Sequence, residues 1–463
     1  MLGLIAPVLI MDGMFMDGVL YASVSHNLAN GYGSLWFLKF SELGFAEHLT
    51  FHEHPPLVFW IQAFFFKILG DSMYVERFYS LLTAFITAWL IFKSWKLIHR
   101  EDQKIAQFSW LAVFLWMFIP VSFWSFQNNV MENTMGLFVM GSFYFTFKAL
   151  HYQEKIFQFL LISSIFIFLA TFSKGVPGFF PLVVPFFHWA VFKKYSFIKM
   201  TWYSIILVIV PIAIYGLLML IPSANESLSI YFFDRLLGRT TSKPTVDHRY
   251  WILIRLFMEI LPLIIIVAVS WGVMKWRKIE LNIFKKERQL FTFLFLVGVS
   301  GSVPIMLTMV QKPFYFSPSL PFFGMAFAML LAPGLSTSFE RIKVDTKGYK
   351  IFRSFTLLCL AAVIVATIMQ IGKVSRNPEV VHDMYIVADV TGEHSTIGVH
   401  EKMWNEWDMH CYMVRYWNIS WDYHADIHHE YYLMNRTLGI QPDSLYEKID
   451  LPTVRYDLYK LKE

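Results

Sequence analysis

The chain has 463 residues, of which 56% are hydrophobic, 18% aromatic and only 16% charged, where a soluble protein carries roughly a quarter charged. With a mean hydropathy of +0.48, this composition excludes a lone water-soluble enzyme and a disordered chain. The net charge is +5, and the two cysteines, Cys359 and Cys411, exclude a disulfide framework or a cysteine zinc cluster.

A spanning helix needs about 20 mostly apolar residues. The first apolar stretch, 1–11, is about half that length. It has no basic n-region and no cleavage site, so it is not a signal peptide. It reads as part of a first helix, with a short re-entrant segment as the alternative. An interfacial helix runs over 18–28, and capping it is the bland alternative to a functional role for Asp17. Pro55 and Pro56 end an extended entry and start a second helix over 56–69. Ten candidate spans follow, near 74–98, 106–125, 131–149, 156–173, 177–192, 201–222, 251–274, 290–310, 314–333 and 354–373.

Composition shifts near residue 374, beyond which the chain is polar and rich in His, Trp and Tyr. There the pattern predicts a strand over 383–390 and a helix over 401–417. The expected fold is therefore an all-α polytopic membrane protein of about 10–11 spans with a small C-terminal α/β soluble domain. Residues 1–373 form the transmembrane catalytic domain, in which 12–73 is the first outward loop. Residues 374–463 form the outward-facing soluble domain.

The loops divide by charge. Those at 93–105, 148–155, 193–199, 275–289 and 334–353 carry 20 Lys and Arg in about 63 residues. Those at 12–73, 125–130, 173–176, 223–250 and 311–313 carry 8 in about 100. The positive-inside rule places the first set in the cytoplasm and the second set, with the tail, on the outer side.

The outward set collects acids and bases at the membrane border, where ionisable groups are expensive and usually functional. The first outward loop holds Asp12, Asp17, Glu42, Glu47, His52, Glu53 and His54. Glu132 opens one span and Lys174 closes another. Arg235, Arg239, Lys243 and Arg249 lie in the 223–250 loop, and Lys312 lies in a tight turn. Carboxylates suit proton abstraction from a hydroxyl or amine. Lysine and arginine suit a phosphate or diphosphate leaving group. Together they fit transfer of a group from a lipid phosphate to an acceptor outside the membrane.

Four segments carry a family resemblance. FMDGVLYASVSHNLANGYG (15–33) looks like the first-loop motif of the GT-C glycosyltransferases. The closer likeness is to the branch that contains the lipid A aminoarabinose transferases and the protein O-mannosyltransferases. HEHPPLVFW (52–60), continued by Gly70-Asp71 and ERFYS (76–80), resembles its second motif. SKG (173–175) followed by FPL (180–182), and KPFYFSPSLPF (312–322), are similar to later motifs. The likeness runs over about residues 12–335.

That resemblance implies a GT-C-like helical bundle and an inverting membrane glycosyltransferase. The donor would be a polyprenyl-phosphate sugar and the acceptor an envelope lipid, glycan or protein, with no nucleic acid involved. It makes Asp17 the first-loop catalytic acid and Glu132 the second. Glu53, His54, Tyr21, Lys174, Arg249, Lys312 and Tyr315 are the expected substrate-binding residues. The family often has a further acid beside the first; here the neighbour is Gly18, and Asp12 is the candidate stand-in. The aminoarabinose branch carries Lys directly before Pro-Pro-Leu, where this chain has His54, which argues against aminoarabinose as the sugar.

No cofactor is expected. A divalent metal at His52 and His54, or at His424, His428 and His429 with helical i, i+4 spacing, is the weighed alternative. Short loops and a separate terminal domain point to a bacterial inner membrane with the site and tail periplasmic. The competing function is a transporter or flippase for an envelope lipid or glycan, which would place its charges near the midplane on broken helices in repeated halves. A non-catalytic receptor for an envelope polymer is the third.

Overall fold

The computed structural model describes residues 2–45, 48–236, 244–279, 285–340, 342–424 and 426–463. Glu47, Arg239 and Lys243 lie outside the described residues.

In chain order the helices are α1 (Leu2–Leu9), α2 (Met16–Ala29), α3 (Leu57–Leu69), α4 (Tyr74–Ile98), α5 (Gln103–Ala106), α6 (Ser109–Met117), α7 (Pro120–Gln127), α8 (Met131–Tyr152) and α9 (Ile156–Lys174). They continue with α10 (Val184–Phe192), α11 (Phe197–Leu218), α12 (Pro222–Ser229), α13 (Trp251–Trp276), α14 (Lys285–Ser302), α15 (Leu320–Glu340), α16 (Lys347–Ile368), α17 (Pro378–Thr391) and α18 (Trp407–Trp417). The strands are β1 (Thr396–Val399), β2 (Ser420–Asp422), β3 (Tyr431–Asn435), β4 (Tyr446–Lys448) and β5 (Tyr456–Leu461).

Among the described residues, seven helices are long and apolar enough to cross a membrane, or eight if one bent pair counts as a single span. Ten were expected, and the difference has local causes. The run read as 106–125 breaks between Met117 and Pro120, where the two parts bend by 78°. The proline ring removes a backbone donor and clashes with the preceding turn. The run read as 177–192 holds Pro177, Pro181 and Pro185 and folds as a 3₁₀ segment, Val176–Val183, followed by the short α10. The 131–149 span is helical as α8, but buried Glu132, Asn133 and Thr134 lower its hydropathy.

The chain divides into two compact units. The first comprises 1–5, 80–126 and 130–366; the second comprises 6–79, 127–129 and 367–463. In the first, α15 is the central helix, with Phe322, Phe323, Met325, Ala326, Ala328 and Met329 all fully buried. Leu150, Leu160, Ile167 and Leu207 tie α8, α9 and α11 into one apolar cluster. By contrast, α16 has no buried residue.

The second unit joins the long first loop to the tail. Its sheet has the order β2-β1-β3-β5-β4. β1 runs parallel to both β2 and β3, and β5 is antiparallel to β3 and β4. Alternation puts Ile397, Trp421, Leu433, Tyr456 and Leu458 in the core, as period-2 patterning requires. The strand expected over 383–390 is instead part of α17. Val380, Val381, Met384, Val387 and Ala388 are its buried residues, so the spacing is helical, and the short β-branched run misled the reading. The helix expected over 401–417 forms as a 3₁₀ turn, Glu401–Asn405, followed by α18.

Candidate active site

In the second unit the centre is α2. Asp17 lies in its first turn, while Phe15 is the N-cap residue and supplies no side-chain bond. Asp17 is thus inside the helix and not its cap. Its carboxylate favours the positive end of the helix dipole. The segment leading into it is pinned from several sides. The Met14 amide donates to the Tyr412 hydroxyl at 2.7 Å, and that hydroxyl donates to the Met14 carbonyl at 2.8 Å. The Phe15 amide donates to the Asn128 carboxamide oxygen at 3.0 Å. Asn129 donates to the Gly18 carbonyl at 3.2 Å and to Gln62 at 3.1 Å.

Gly18 has a steric reason. A Cβ there would collide with the Asn128 carbonyl oxygen. A second acid directly after Asp17 cannot be accommodated. Asp12, the candidate stand-in, is engaged elsewhere. It accepts from Tyr385 at 2.8 Å and Tyr416 at 3.3 Å, and lies 3.8 Å from Arg77.

One turn beyond Asp17, the Tyr21 hydroxyl bonds the His54 imidazole at 3.3 Å, with both side chains buried. This joins the first and second motifs on the Asp17 face of α2, since residues four apart share a helix face. Glu53 is half-buried beside them in sequence. His52 is buried and bonds Thr50 at 2.8 Å. Burial pushes the Cys411 thiol well up, and the charges of Asp17 and Asp408 add to that effect.

A buried ion network underlies this region. Arg415 donates to Glu76 at 2.9 Å and to the carbonyls of Asp71 and Ser72, both at 3.2 Å. Arg77 donates to the Met73 carbonyl at 2.7 Å. The Gly-Asp and Glu-Arg continuation of the second motif therefore anchors α18 to the start of α4.

In the first unit, Lys174 pairs with Glu132 at 2.7 Å, both nearly inaccessible, at 8% and 1% exposure. The Lys174 ammonium also lies 5.4 Å from the Tyr315 ring centre and 5.9 Å from that of Phe314. Cations over aromatic faces gain electrostatically. Gly175, which follows, has φ of +88° and ψ of −148°, a region that essentially only glycine adopts. The Tyr231 hydroxyl occupies the place of a Cβ at Gly175.

Gln311 ties the remaining cations together. It donates to the Arg249 carbonyl at 2.8 Å and accepts from the Ile252 amide at 3.0 Å, so it caps α13. Its own amide donates to Thr245 at 2.9 Å. Arg249 and Lys312 are exposed on this connected turn, and Lys312 leads directly into the 3₁₀ turn bearing Phe314 and Tyr315.

The structure thus brings Glu132, Lys174 and Tyr315 together, links Arg249 to Lys312 through Gln311, and sets His54 against Tyr21, one turn from Asp17 on α2. Sequence reading missed Asn128, Asn129, Gln311, Tyr231 and Tyr412. The two asparagines before an apolar span were a visible signal, and their carboxamides reach Phe15 and Gly18. Tyr412 carried no local signal.

Among the described residues no group of three or more metal-ligating side chains comes together. His424, His428 and His429 do not lie on a helix, as the spacing of His424 and His428 suggested, but between β2 and β3; His424 and His429 are the two that meet an acid. They bond Asp422 at 2.6 and 2.8 Å. Burial raises the Asp422 carboxyl, but the His424 amide and both imidazoles outweigh it and hold its pKa below the usual range.

A family model described as dolichyl-phosphate-mannose-protein mannosyltransferase matches residues 53–219. A sequence comparison with curated proteins returns no match. Among solved structures, ArnT from Cupriavidus metallidurans, bound to undecaprenyl phosphate, matches with a TM-score of 0.66 at 11% identity, over 99% of this chain and 95% of that one. The archaeal oligosaccharyltransferase AglB from Archaeoglobus fulgidus, in complex with an inhibitory peptide and a dolichol-phosphate, matches with a TM-score of 0.52 at 12% identity. That match covers 88% of this chain and 60% of AglB. The chain thus shares the fold of ArnT over nearly its whole length.

Proposed function

We propose that this chain, built on the GT-C fold, is a membrane glycosyltransferase that moves a sugar from a polyprenyl-phosphate donor to an envelope acceptor on the outer face of the membrane. The observation that carries the reading is the near-full-length likeness in fold to ArnT, a protein solved with undecaprenyl phosphate bound. The acids and cations of the loops read as outward supply the chemistry.

In this reading Asp17 takes or orients the proton of the acceptor hydroxyl or amine. The acceptor attacks the anomeric carbon from the face opposite the phosphate. The anomeric C–O bond breaks, configuration inverts, and polyprenyl phosphate leaves with the bonding pair. Lys174, Arg249 and Lys312 meet the charge that develops on that phosphate. Glu132, bound to Lys174 at 2.7 Å, acts through the lysine by fixing its position, and Tyr315 flanks the same ammonium. Tyr21, Glu53 and His54 line the acceptor side along α2. No cofactor or metal ion is assigned a role, since the three cations already serve the leaving group. The reading places the site and the tail on the periplasmic side of a bacterial inner membrane, and the expected division into a catalytic part, 1–373, and a tail, 374–463, goes with it.

The test uses purified protein and its Asp17→Asn variant with a panel of polyprenyl-phosphate sugars and cell-envelope extract as acceptor, with donor loss followed by mass spectrometry. Wild type is expected to consume one donor while the folded variant consumes none. An active Asp17→Asn variant removes Asp17 from the mechanism. No consumption of any donor by wild type favours transport or binding.

A further inference from the structure

We infer that Tyr412, on helix α18 of the tail, is a positioning residue for the Asp17 carboxylate, and that orienting α2 is a function of the C-terminal segment. This rests on the transferase reading of Asp17.

The argument is one of backbone bonds. Met14 lies three residues before Asp17 and is buried. Its amide and its carbonyl both bond the same Tyr412 hydroxyl, at 2.7 and 2.8 Å. One hydroxyl acting as acceptor and donor fixes both the place and the orientation of a peptide pair. The helix has no side-chain N-cap of its own, so its entry angle depends on such outside partners. Tyr412 is fully buried and cannot turn away to water. Its helix is held in turn by Arg415, one turn on, through Glu76 and two carbonyls at the start of α4. A second contact between the two helices, from the Ser23 hydroxyl to the Cys411 carbonyl at 3.3 Å, lies further along α2 and leaves its first turn untouched.

A reacting carboxylate tolerates little misplacement: an error of about 1 Å costs about a hundredfold in rate. Tyr412→Phe keeps the ring and removes only the hydroxyl. We expect it to fold and to keep donor KM within about twofold while kcat falls at least about twentyfold. Amide hydrogen exchange over residues 14–19 should quicken about tenfold or more. Asn128→Ala, which removes the carboxamide that the Phe15 amide bonds, should show the same split between kcat and KM. Ser23→Ala should match wild type in both readouts.

Wild-type kcat and unchanged exchange in Tyr412→Phe overturn the inference. So does a loss of activity that only follows loss of folded protein. A wild-type protein that consumes no donor defeats the transferase reading instead, and the exchange data alone then decide whether Tyr412 fixes α2.

Discussion

At residue scale, two buried groups give direct tests. His410 is fully buried and stacks on Trp421 at 4.8 Å with an interplanar angle of 3°. Among the described residues neither ring nitrogen has a hydrogen-bond partner. Burial lowers its pKa to about 3. The unfolded chain, with an ordinary histidine pKa of about 6.5, therefore binds a proton that the folded chain refuses between those values. Stability is full above about pH 6.5 and falls as pH drops toward 3, by at most about 1.4 kcal/mol per pH unit. His410→Phe should flatten this acid limb, read as a smaller loss of Tm between pH 7 and pH 5 than in wild type. An unchanged limb would show that the histidine is protonated in place.

Gly175 gives the second test. Gly175→Ala meets both a glycine-only conformation and the Tyr231 hydroxyl. It should cost about 1–3 kcal/mol and displace Lys174, lowering Tm and weakening donor affinity together. The Ser-Lys-Gly motif is thus legible as chemistry and as geometry. The sequence showed the lysine, and only the backbone angle shows why glycine follows it.

At the scale of elements, α18 and the start of α4 are held together by buried charge. Glu76 and Arg415 are 2% and 1% exposed. Breaking a buried pair on one side leaves an uncompensated charge and costs about 3–5 kcal/mol. Arg415→Met should therefore destabilise the protein strongly, with chemical denaturation as the readout. Adding Glu76→Gln should recover part of the loss. A mild effect of Arg415→Met alone would mean that Arg77 suffices for Glu76.

Sequence reading found α2 and α3 to within two residues, because proline and apolar signals are local. It missed α17, where Val380, Val381, Val387 and Val390 favour strand locally and packing decides for helix. It also could not place α18 against α2. The partners are about 400 residues apart, as with Met14 and Tyr412, and no local pattern encodes such a contact.

At the scale of the molecule, the fold class was legible because membrane helices are written in long apolar runs. The number of unbroken spans was less legible. Proline-rich runs such as 177–192 pass a composition test and still fail to form one helix. The candidate site was readable as a set of residue types in the loops and at the helix ends. Their pairing was not, since no local pattern shows that Glu132 lies against Lys174. The account divides labour accordingly: the cations serve the donor phosphate and Asp17 serves the step itself.

The measurement that tests this division most directly compares Asp17→Asn with the double variant Arg249→Gln, Lys312→Gln, whose parent side chains are exposed. Both are assayed for kcat and donor KM with the donor that wild type consumes. The account predicts that the double variant raises donor KM about tenfold or more and becomes less sensitive to salt. Asp17→Asn should lose turnover while still binding donor. Appreciable turnover by Asp17→Asn, or a double variant with wild-type KM, would contradict it.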